Sequence, residues 1–336
     1  MKSIVCNQPG KFLYEERDCP QSRPGYSIIK LKQIGICGTD LNAFKGVQPY
    51  FTYPRVLGHE LAGEFIQGDA NGFSTGDKFT ILPYRSCGNC FACKIGKTNC
   101  CSSLSVLGVH EDGGMCEYIS IPNNLLIHTD GLSLDQIALI EPLAIGAHAV
   151  KRANIQPGEN VLVIGAGPIG IGLLHFLSMH NVNIILAERI TYRMNYCIEN
   201  FNHVHCVDSS NEGFIDEIRR LTNGNMPSLI FDATGSLNAI HQSLTILSHA
   251  GRFILVGLQQ GDIHVSHPEF HKREATLMSS RNATASDFQF VIDAMRSEKI
   301  RPQNMITHRI SFDQVVNDFP LLYSQKDTLI KAMITC

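Results

Sequence analysis

The sequence predicts an α/β protein in which a β-rich domain is combined with a doubly wound parallel sheet. Residues 161–180 have the pattern of a buried strand, a glycine turn and a helix start. From about residue 155 onward, apolar runs of strand length alternate with helix-compatible segments, which is typical of a parallel sheet covered by helices. Residues 1–35 instead alternate short apolar runs with turn pairs such as Pro9-Gly10, which indicates antiparallel strands.

Composition restricts the class of protein. The chain has 336 residues, enough for two domains, and it is 44% hydrophobic with a net charge of −3. It contains no long basic run that would favour nucleic acid, no apolar core of a secretory signal, and no apolar stretch of membrane-helix length. We therefore expect a cytoplasmic protein without a nucleic-acid or membrane partner. In that compartment the 12 cysteines are expected to be metal ligands and buried thiols rather than disulfides.

The elements follow from apolar period and turn residues, in chain order. Opening strands are expected at residues 3–5, 12–14 and 27–31. A helix is expected over 133–152, with Pro142 indicating a break or a new start. The parallel sheet is expected to have strands at 161–165, 183–187, 204–207, 228–232 and 252–257. A helix over 285–297 and an apolar segment over 329–334 close the chain.

The central glycine motif suits a phosphate-binding turn. It reads Gly165-x-Gly167-x-x-Gly170, with Pro168 and Ile169 as its last two variable positions. The first glycine permits the turn, the second lets the backbone approach a pyrophosphate, and the third lets helix and strand pack closely. The helix N-terminus then offers free N–H groups to the phosphates. An ordinary glycine turn in an α/β domain is the alternative.

Glu188 ends the next apolar run, about 20 residues beyond the glycines, where a ribose-binding carboxylate is expected. Its charge would repel a 2′-phosphate, which favours NAD over NADP. Arg189 is the opposing observation, because arginine can pair with that phosphate. A solvated charge at a strand end is the alternative role for Glu188.

Four cysteines lie within fifteen residues in the pattern Cys87-x2-Cys90-x2-Cys93-x7-Cys101. Short loops of this kind can close a tetrahedral four-thiolate zinc site, and such closed sites are structural. The rival is an iron–sulfur cluster, but its bacterial motif ends in C-x3-C-P, whereas the last gap here is seven residues. Cys100 is the alternative fourth ligand.

A second set of candidate ligands is scattered along the chain: Cys37, His59, Glu60 and Glu141. Cys37 lies between glycines, and His59-Glu60 follows a glycine at a predicted strand end. A mixed sulfur, nitrogen and oxygen set with one open position is the pattern of a catalytic zinc. Buried thiols, satisfied polar residues and surface charges are the alternatives.

Together these residues resemble the zinc-containing medium-chain alcohol and polyol dehydrogenases, in the branch with sorbitol and L-threonine dehydrogenases. The cysteine lobe and the glycine motif carry the resemblance with Gly35-Ile-Cys-Gly-Thr-Asp40, Gly58-His-Glu60, Ile140-Glu-Pro-Leu143 and Asp232-Ala-Thr-Gly235. The resemblance implies a GroES-like catalytic domain of residues 1–145 and 281–336, and an NAD-binding Rossmann domain of residues 146–280. It also implies two zinc ions per chain, NAD, and a homodimer or homotetramer.

By this resemblance, several residues acquire roles. Cys37 and His59 match catalytic zinc ligands, and Glu60 and Glu141 match two acids that alternate as direct or water-mediated ligands. Thr39 matches the hydroxyl of a proton relay. Asn42 departs from the family pattern, because many relatives carry there a histidine that helps to pass the proton to solvent, and asparagine cannot titrate.

Within the branch, the likeness is strongest to bacterial sugar-acid dehydrogenases of the L-galactonate 5-dehydrogenase type. It is carried by Tyr53–Glu60, Thr98–Cys101, Val106–Gly114, Pro268–His271 and Ser280–Thr284. Relatives place a substrate-contacting arginine near Arg281, which could bind a substrate carboxylate with Asn282 beside it. His110 is a further candidate for substrate contact.

The resemblance implies hydride transfer between a secondary alcohol of a polyol or sugar acid and NAD. The alternatives are a dehydrogenase for simple alcohols or L-threonine, and a non-catalytic regulatory relative. An inter-domain salt bridge is the alternative role for Arg281, and loop structure is the alternative for His110.

Overall fold

The computed structural model describes residues 1–49 and 51–336, which fold into two units. One unit comprises Met1–Ala144 and Ala283–Cys336, and the other comprises Ile145–Asn282. No helix in these described ranges is both long and apolar enough to cross a membrane.

The first part of the chain consists mainly of short strands. These are β1 (Lys2–Gln8), β2 (Lys11–Glu16), β3 (Tyr26–Ile36), β4 (Arg55–Val56), β5 (Glu60–Gly68), β6 (Lys78–Ile81), β7 (Tyr84–Arg85), β8 (Ser105–Val106), β9 (Tyr118–Pro122) and β10 (Leu126–His128). The helices are α1 (Gly38–Lys45), α2 (Phe91–Lys94), α3 (Leu134–Ala138) and α4 (Ile140–Ala153). The three predicted opening strands are confirmed, each extended by one to several residues at its ends.

The predicted helix over 133–152 is two helices, with a new start at Ile140. Ser133 caps the first helix by accepting a hydrogen bond from the Gln136 N–H. Pro142 lies in the first turn of α4, where its missing N–H has no intrahelical partner to lose. The alternative of a new start rather than a continuous helix is therefore the one observed.

The middle of the chain alternates strand and helix. Its strands are β11 (Asn160–Ile164), β12 (Asn183–Glu188), β13 (Val204–Asp208), β14 (Leu229–Asp232), β15 (Arg252–Leu255) and β16 (Thr276–Ser279). Its helices are α5 (Pro168–Leu177), α6 (Thr191–Asn200), α7 (Phe214–Leu221), α8 (Leu237–Thr245) and α9 (His267–Lys272). The five predicted strands are confirmed to within two residues at each end, and β16 adds a sixth that the apolar pattern did not predict.

These six strands form a parallel sheet in the order β13-β12-β11-β14-β15-β16. The order reverses beside β11, so the carboxyl ends of β11 and β14 diverge into a crevice where nucleotides bind in such sheets. The core consists of apolar residues from strands and helices, among them Leu162, Ile185, Ile230 and Phe253, all fully buried. The predicted doubly wound sheet is confirmed.

The chain then returns to the first unit. The closing elements are α10 (Ala285–Arg296), β17 (Ile306–Ser311), α11 (Val315–Asp318) and β18 (Lys331–Thr335). β18 enters the seven-stranded sheet of that unit, whose main path is β10-β6-β5-β3-β18-β17, with β9 also on β3. The neighbours β5, β3 and β18 carry the residues of the candidate metal centre.

Candidate active site and cofactor loop

Cys37 and His59 are brought together by the carboxylate of Asp40. Cys37 precedes α1, and its N–H donates to Asp40 Oδ2 at 2.8 Å. The N–H of Gly58, just before His59, donates to Asp40 Oδ1 at 3.2 Å. Asp40 Oδ1 also lies 3.9 Å from Nδ1 of His59. One fully buried carboxylate thus holds both ligand-bearing loops.

Cys37, His59 and Glu60 each offer a ligand atom within 4.8 Å of the other two. Zinc bonds of about 2.0–2.3 Å place neighbouring ligand atoms roughly 3–4 Å apart, so this set fits a zinc ion with little adjustment. Burial acts to lower the pKa of His59, but the charges of Cys37 and Asp40 raise it well above its ordinary value. A buried pocket with this excess of negative charge is suited to a cation.

Glu60 is paired with Lys331, a residue for which the sequence analysis had no role. Both carboxylate oxygens of Glu60 accept from Lys331 Nζ, at 2.6 and 2.7 Å, and Nζ also donates to the Ile36 carbonyl at 3.2 Å. Lys331 is 1% exposed and Glu60 is fully buried. Burial acts to lower the pKa of Lys331, but the charges of Glu60 and Cys37 raise it above its ordinary value. The pair stays ionised and fixes the carboxylate beside Cys37.

Glu141 lies in α4, and its Oε1 accepts a hydrogen bond from the hydroxyl of Tyr84. It is not one of the three residues whose ligand atoms fall within 4.8 Å of one another. Burial raises the pKa of Glu141 to about 7, against the opposing charge of His59. The charge interactions of Glu141 with His59, Glu60 and Lys331 show that it faces the same pocket.

Other predicted residues lie at different depths. Thr39 is half-buried in the first turn of α1, two residues beyond Cys37, whereas Asn42 is exposed. The exposed His110 accepts at Nδ1 from the Val106 N–H at 3.1 Å, which commits that nitrogen to its own loop.

Arg281 and Asn282 end the nucleotide-fold unit, as the last two residues before the chain returns to the first unit. Arg281 is exposed, and Asn282 has a φ of 51°. Asparagine tolerates this left-handed backbone better than most residues, which suits a sharp change of chain direction.

The four-cysteine lobe is assembled as a second possible metal site. Ligand atoms of Cys87, Cys90, Cys93 and Cys101 all lie within 4.8 Å of one another. Backbone N–H groups of Ser102 and Cys93 lower the pKa of Cys90 to about 5, which favours a thiolate. Cys101 is buried, whereas the alternative ligand Cys100 is exposed and lies outside this set. Four thiol groups at these separations fit a closed zinc site.

The glycine motif forms the turn between β11 and α5. Gly165 has a φ of 93°, and a Cβ on Gly170 would lie 1.8 Å from the Gly165 carbonyl oxygen, so both positions require glycine. Gly167 is the N-cap of α5 and Pro168, followed by Ile169, is its first residue. A Cβ built on Gly167 would have as its nearest atom, apart from its chain neighbours, Nη1 of Arg193 at 4.0 Å, which leaves room for a phosphate group.

Glu188 ends β12 and stabilises this turn directly. Its Oε2 accepts from the Ala166 N–H at 2.6 Å, and its Oε1 accepts from the N–H groups of Arg189 and Ile190 at 2.7 and 2.8 Å. Glu188 is buried, so it is not the solvated strand-end charge considered as an alternative. Arg189 is exposed, and Arg193 of α6 is the arginine that approaches the glycine turn.

The sequence analysis therefore missed four residues: Asp40, Tyr84, Arg193 and Lys331. A lysine inside the apolar segment 329–334 was a usable signal, because a buried lysine requires a partner. Asp40 stood within a quoted motif without an assigned role. Nothing in the local sequence pointed to Tyr84 or Arg193.

Comparison with known protein families gives two matches along the chain. The model of the alcohol dehydrogenase GroES-like domain matches residues 23–131. The model of the zinc-binding dehydrogenase domain matches residues 168–297.

Similar proteins cover the chain from end to end. The L-galactonate-5-dehydrogenase of Escherichia coli K12 is 40% identical, over 100% of this chain and 99% of that protein. An uncharacterized zinc-type alcohol dehydrogenase-like protein of Haemophilus influenzae is 34% identical, over 94% and 93%. A crystal structure of an alcohol dehydrogenase from E. coli CFT073, complexed with NADH, superimposes with a TM-score of 0.92 at 31% identity, covering 100% of this chain and 99% of that one.

Proposed function

The chain belongs to the zinc-containing medium-chain alcohol and polyol dehydrogenases, and on this basis we propose that it transfers hydride between a secondary alcohol of a sugar acid or polyol and NAD. The observation that carries the proposal is the convergence of Cys37, His59 and Glu60, with ligand atoms within 4.8 Å. An L-galactonate-like hexonate is the proposed substrate, supported by the 40% identity to an L-galactonate-5-dehydrogenase.

Cys37 and His59, with Glu60 or Glu141 as the oxygen ligand, are the residues that would hold a catalytic zinc. Cys87, Cys90, Cys93 and Cys101 would hold a second, structural zinc. When bound, the catalytic zinc supplies a Lewis acid and the nicotinamide supplies the hydride acceptor.

The surrounding residues prepare this pocket for a proton and a cation. Lys331 balances one of the acidic charges, so the pocket retains an attraction for a divalent ion without accumulating unpaired anions. Thr39 is proposed to accept the proton of the substrate hydroxyl and to pass it towards solvent. Because Asn42 cannot titrate, the relay is proposed to end in water rather than in a histidine at that position.

The glycine turn and Glu188 are proposed to hold NAD. The N–H groups at the start of α5 would bind the pyrophosphate. Glu188 already accepts three backbone N–H groups, and each carboxylate oxygen has two lone pairs, so it keeps capacity for a ribose hydroxyl. Its negative charge would oppose a 2′-phosphate, whereas Arg189 and Arg193 would favour one.

The substrate and cofactor are tested together by measuring reduction of NAD and of NADP with hexonates, hexitols, pentitols and L-threonine. The highest kcat/KM is expected for a hexonate with NAD. Comparable kcat/KM with NADP contradicts the role given to Glu188, and the highest value for L-threonine contradicts the sugar-acid assignment.

Metal content and nucleotide binding test the enzyme against a non-catalytic relative. Two zinc ions per chain and NADH binding are expected, and Cys37→Ser is expected to bind NADH without turnover. One zinc ion and no nucleotide binding would favour a regulatory protein on the same scaffold. We further propose a cytoplasmic homodimer or homotetramer, and sedimentation equilibrium measures its mass.

A further inference from the structure

Tyr84 connects two sites that are far apart in function. Its hydroxyl donates to Oε1 of Glu141, and both side chains are buried. The ring of Phe288 meets the Tyr84 ring edge to face, with centroids 6.3 Å apart and planes at 89°. The ring is therefore held in place by packing, and the hydroxyl distinguishes one oxygen of the Glu141 carboxylate from the other.

The backbone of Tyr84 belongs to a two-stranded ribbon that leads straight into the cysteine lobe. Tyr84 pairs with Val106, and Arg85 pairs with Ser105, so β7 and β8 join the two ends of the lobe. The Leu107 N–H donates to the Pro83 carbonyl at 3.0 Å and continues this ladder.

The lobe begins two residues after the ribbon. The Cys87 N–H donates to Sγ of Cys101 at 3.2 Å, which joins the first and last cysteines of the lobe. On the opposite strand, Glu111 accepts from Ser105 Oγ at 2.9 Å and lies 3.2 Å from Nη2 of Arg85. The separation of the four cysteines thus sets the register of the ribbon, and the ribbon sets the position of the Tyr84 hydroxyl.

We propose that Tyr84 is a positioning residue through which the four-cysteine lobe fixes the orientation of Glu141 in the catalytic pocket. The inference rests on the proposed metal-binding function of that pocket. A hydroxyl bonded to one carboxylate oxygen limits the ways in which the other can approach a metal, and such outer partners commonly alter affinity or activity by about 10–100-fold when removed. The lobe accordingly contributes to the geometry of the site as well as to folding.

Tyr84→Phe tests this directly, because it removes the hydroxyl and keeps the ring against Phe288. Tyr323→Phe is the matched control, since its hydroxyl also donates to a carbonyl, that of Leu41, within the same unit. The measurements are kcat, KM, the NADH dissociation constant, and the absorption of Co²⁺ in place of zinc. The difference from the same protein carrying Cys37→Ser isolates the spectrum of the Cys37 site.

For Tyr84→Phe, we expect a changed Co²⁺ spectrum, about tenfold faster loss of that metal to a chelator, and about tenfold lower kcat. The NADH dissociation constant is expected to stay within about twofold, as all values should for Tyr323→Phe. Equal spectra and kcat for the two variants would overturn the role of Tyr84 and leave the metal site intact. A wild-type protein with no Cys37-dependent spectrum would overturn the proposed function and this inference together.

The connection to the lobe is tested by combining Tyr84→Phe with Cys90→Ser. Cys90→Ser is expected to change the spectrum of the Cys37 site when Tyr84 is present, and to add nothing in the Tyr84→Phe background. Arg85→Gln weakens the ribbon with all four cysteines intact and gives the same comparison if the Cys90 variant does not fold. An equal additional change in both backgrounds would overturn the coupling.

Discussion

Gly35 shows how a residue without a side chain shapes the metal pocket. It lies on β3, opposite Glu60 of β5, and a Cβ at this position would lie 2.0 Å from Glu60 Oε2. The missing side chain leaves the space in which the carboxylate meets Lys331. Gly35 is therefore required by close approach, and not by an unusual backbone angle.

Gly35→Ala is expected to displace the Glu60 carboxylate and to lower the free energy of unfolding by about 1–3 kcal/mol, the usual effect of overpacking. Gly38→Ala is the control, because a Cβ there has no atom within 4 Å. Urea unfolding compares the two. Equal stabilities would show that the Glu60–Lys331 pair can shift at little cost.

Arg281 is the residue on which the sugar-acid assignment depends most. If its guanidinium binds the substrate carboxylate, Arg281→Ala should raise KM for a hexonate by about 1.5–3 kcal/mol in binding terms, with a far smaller effect on an uncharged hexitol. Arg220→Ala, an exposed arginine of α7, serves as the control. Equal losses on both substrates would instead indicate a structural salt bridge.

At the scale of elements, the lobe and the nucleotide turn are local structures built from closely spaced residues. The lobe has a short helix, α2, between its cysteines and little apolar core, and Phe91 is 79% exposed. Its order must come from the four thiolates and their metal, because a segment this small cannot bury enough apolar surface to fold alone.

Cys90→Ser is accordingly expected to lower the melting temperature and to release one zinc ion per chain. Cys100→Ser, ten residues away and outside the ligand set, should leave both unchanged. Cys37→Ser should also remain folded, with NADH binding retained and turnover lost. Calorimetry with metal analysis measures all three, and a Cys90 variant as heat-stable as the wild type would contradict the structural role of the lobe.

At the scale of the whole molecule, the metal pocket depends on residues from both ends of the chain. Lys331 comes from the last strand and meets Glu60, 271 residues earlier, because β18 and β5 flank β3 in one sheet. Removing one partner of a buried ion pair leaves the other charge without compensation, which commonly costs about 3–5 kcal/mol.

Lys331→Met is expected to lower the free energy of unfolding by this amount near neutral pH. Because the pKa of Lys331 is raised in the folded protein, its contribution is complete below about pH 10.5 and is lost as the pH rises further. Lys32→Met is the control, since its pair with Glu64 is longer, at 3.6 Å, and partly exposed. Urea unfolding of both variants from neutral to alkaline pH measures the difference, and a constant difference through pH 11 would contradict the linkage.

Most of the fold could be predicted because its signals are local. Five of the six strands of the parallel sheet follow from apolar runs, and the glycine turn follows from three spaced residues. The half-buried, mixed pattern of β16 offered no such run, since this edge strand pairs on one side only. Likewise, nothing local distinguished a broken helix from a continuous one at Pro142.

The sequence by itself determined the residue types that bind metal and nucleotide, because each motif is short enough for its spacing to constrain its geometry. The tertiary structure alone decided which distant side chains complete them. Lys331 reaches Glu60 and Tyr84 reaches Glu141 through strand neighbours and helix packing, which sequence separation does not reveal. Burial then sets their energetics, because a charge or hydroxyl removed from water must find its partner within the protein, wherever along the chain that partner lies.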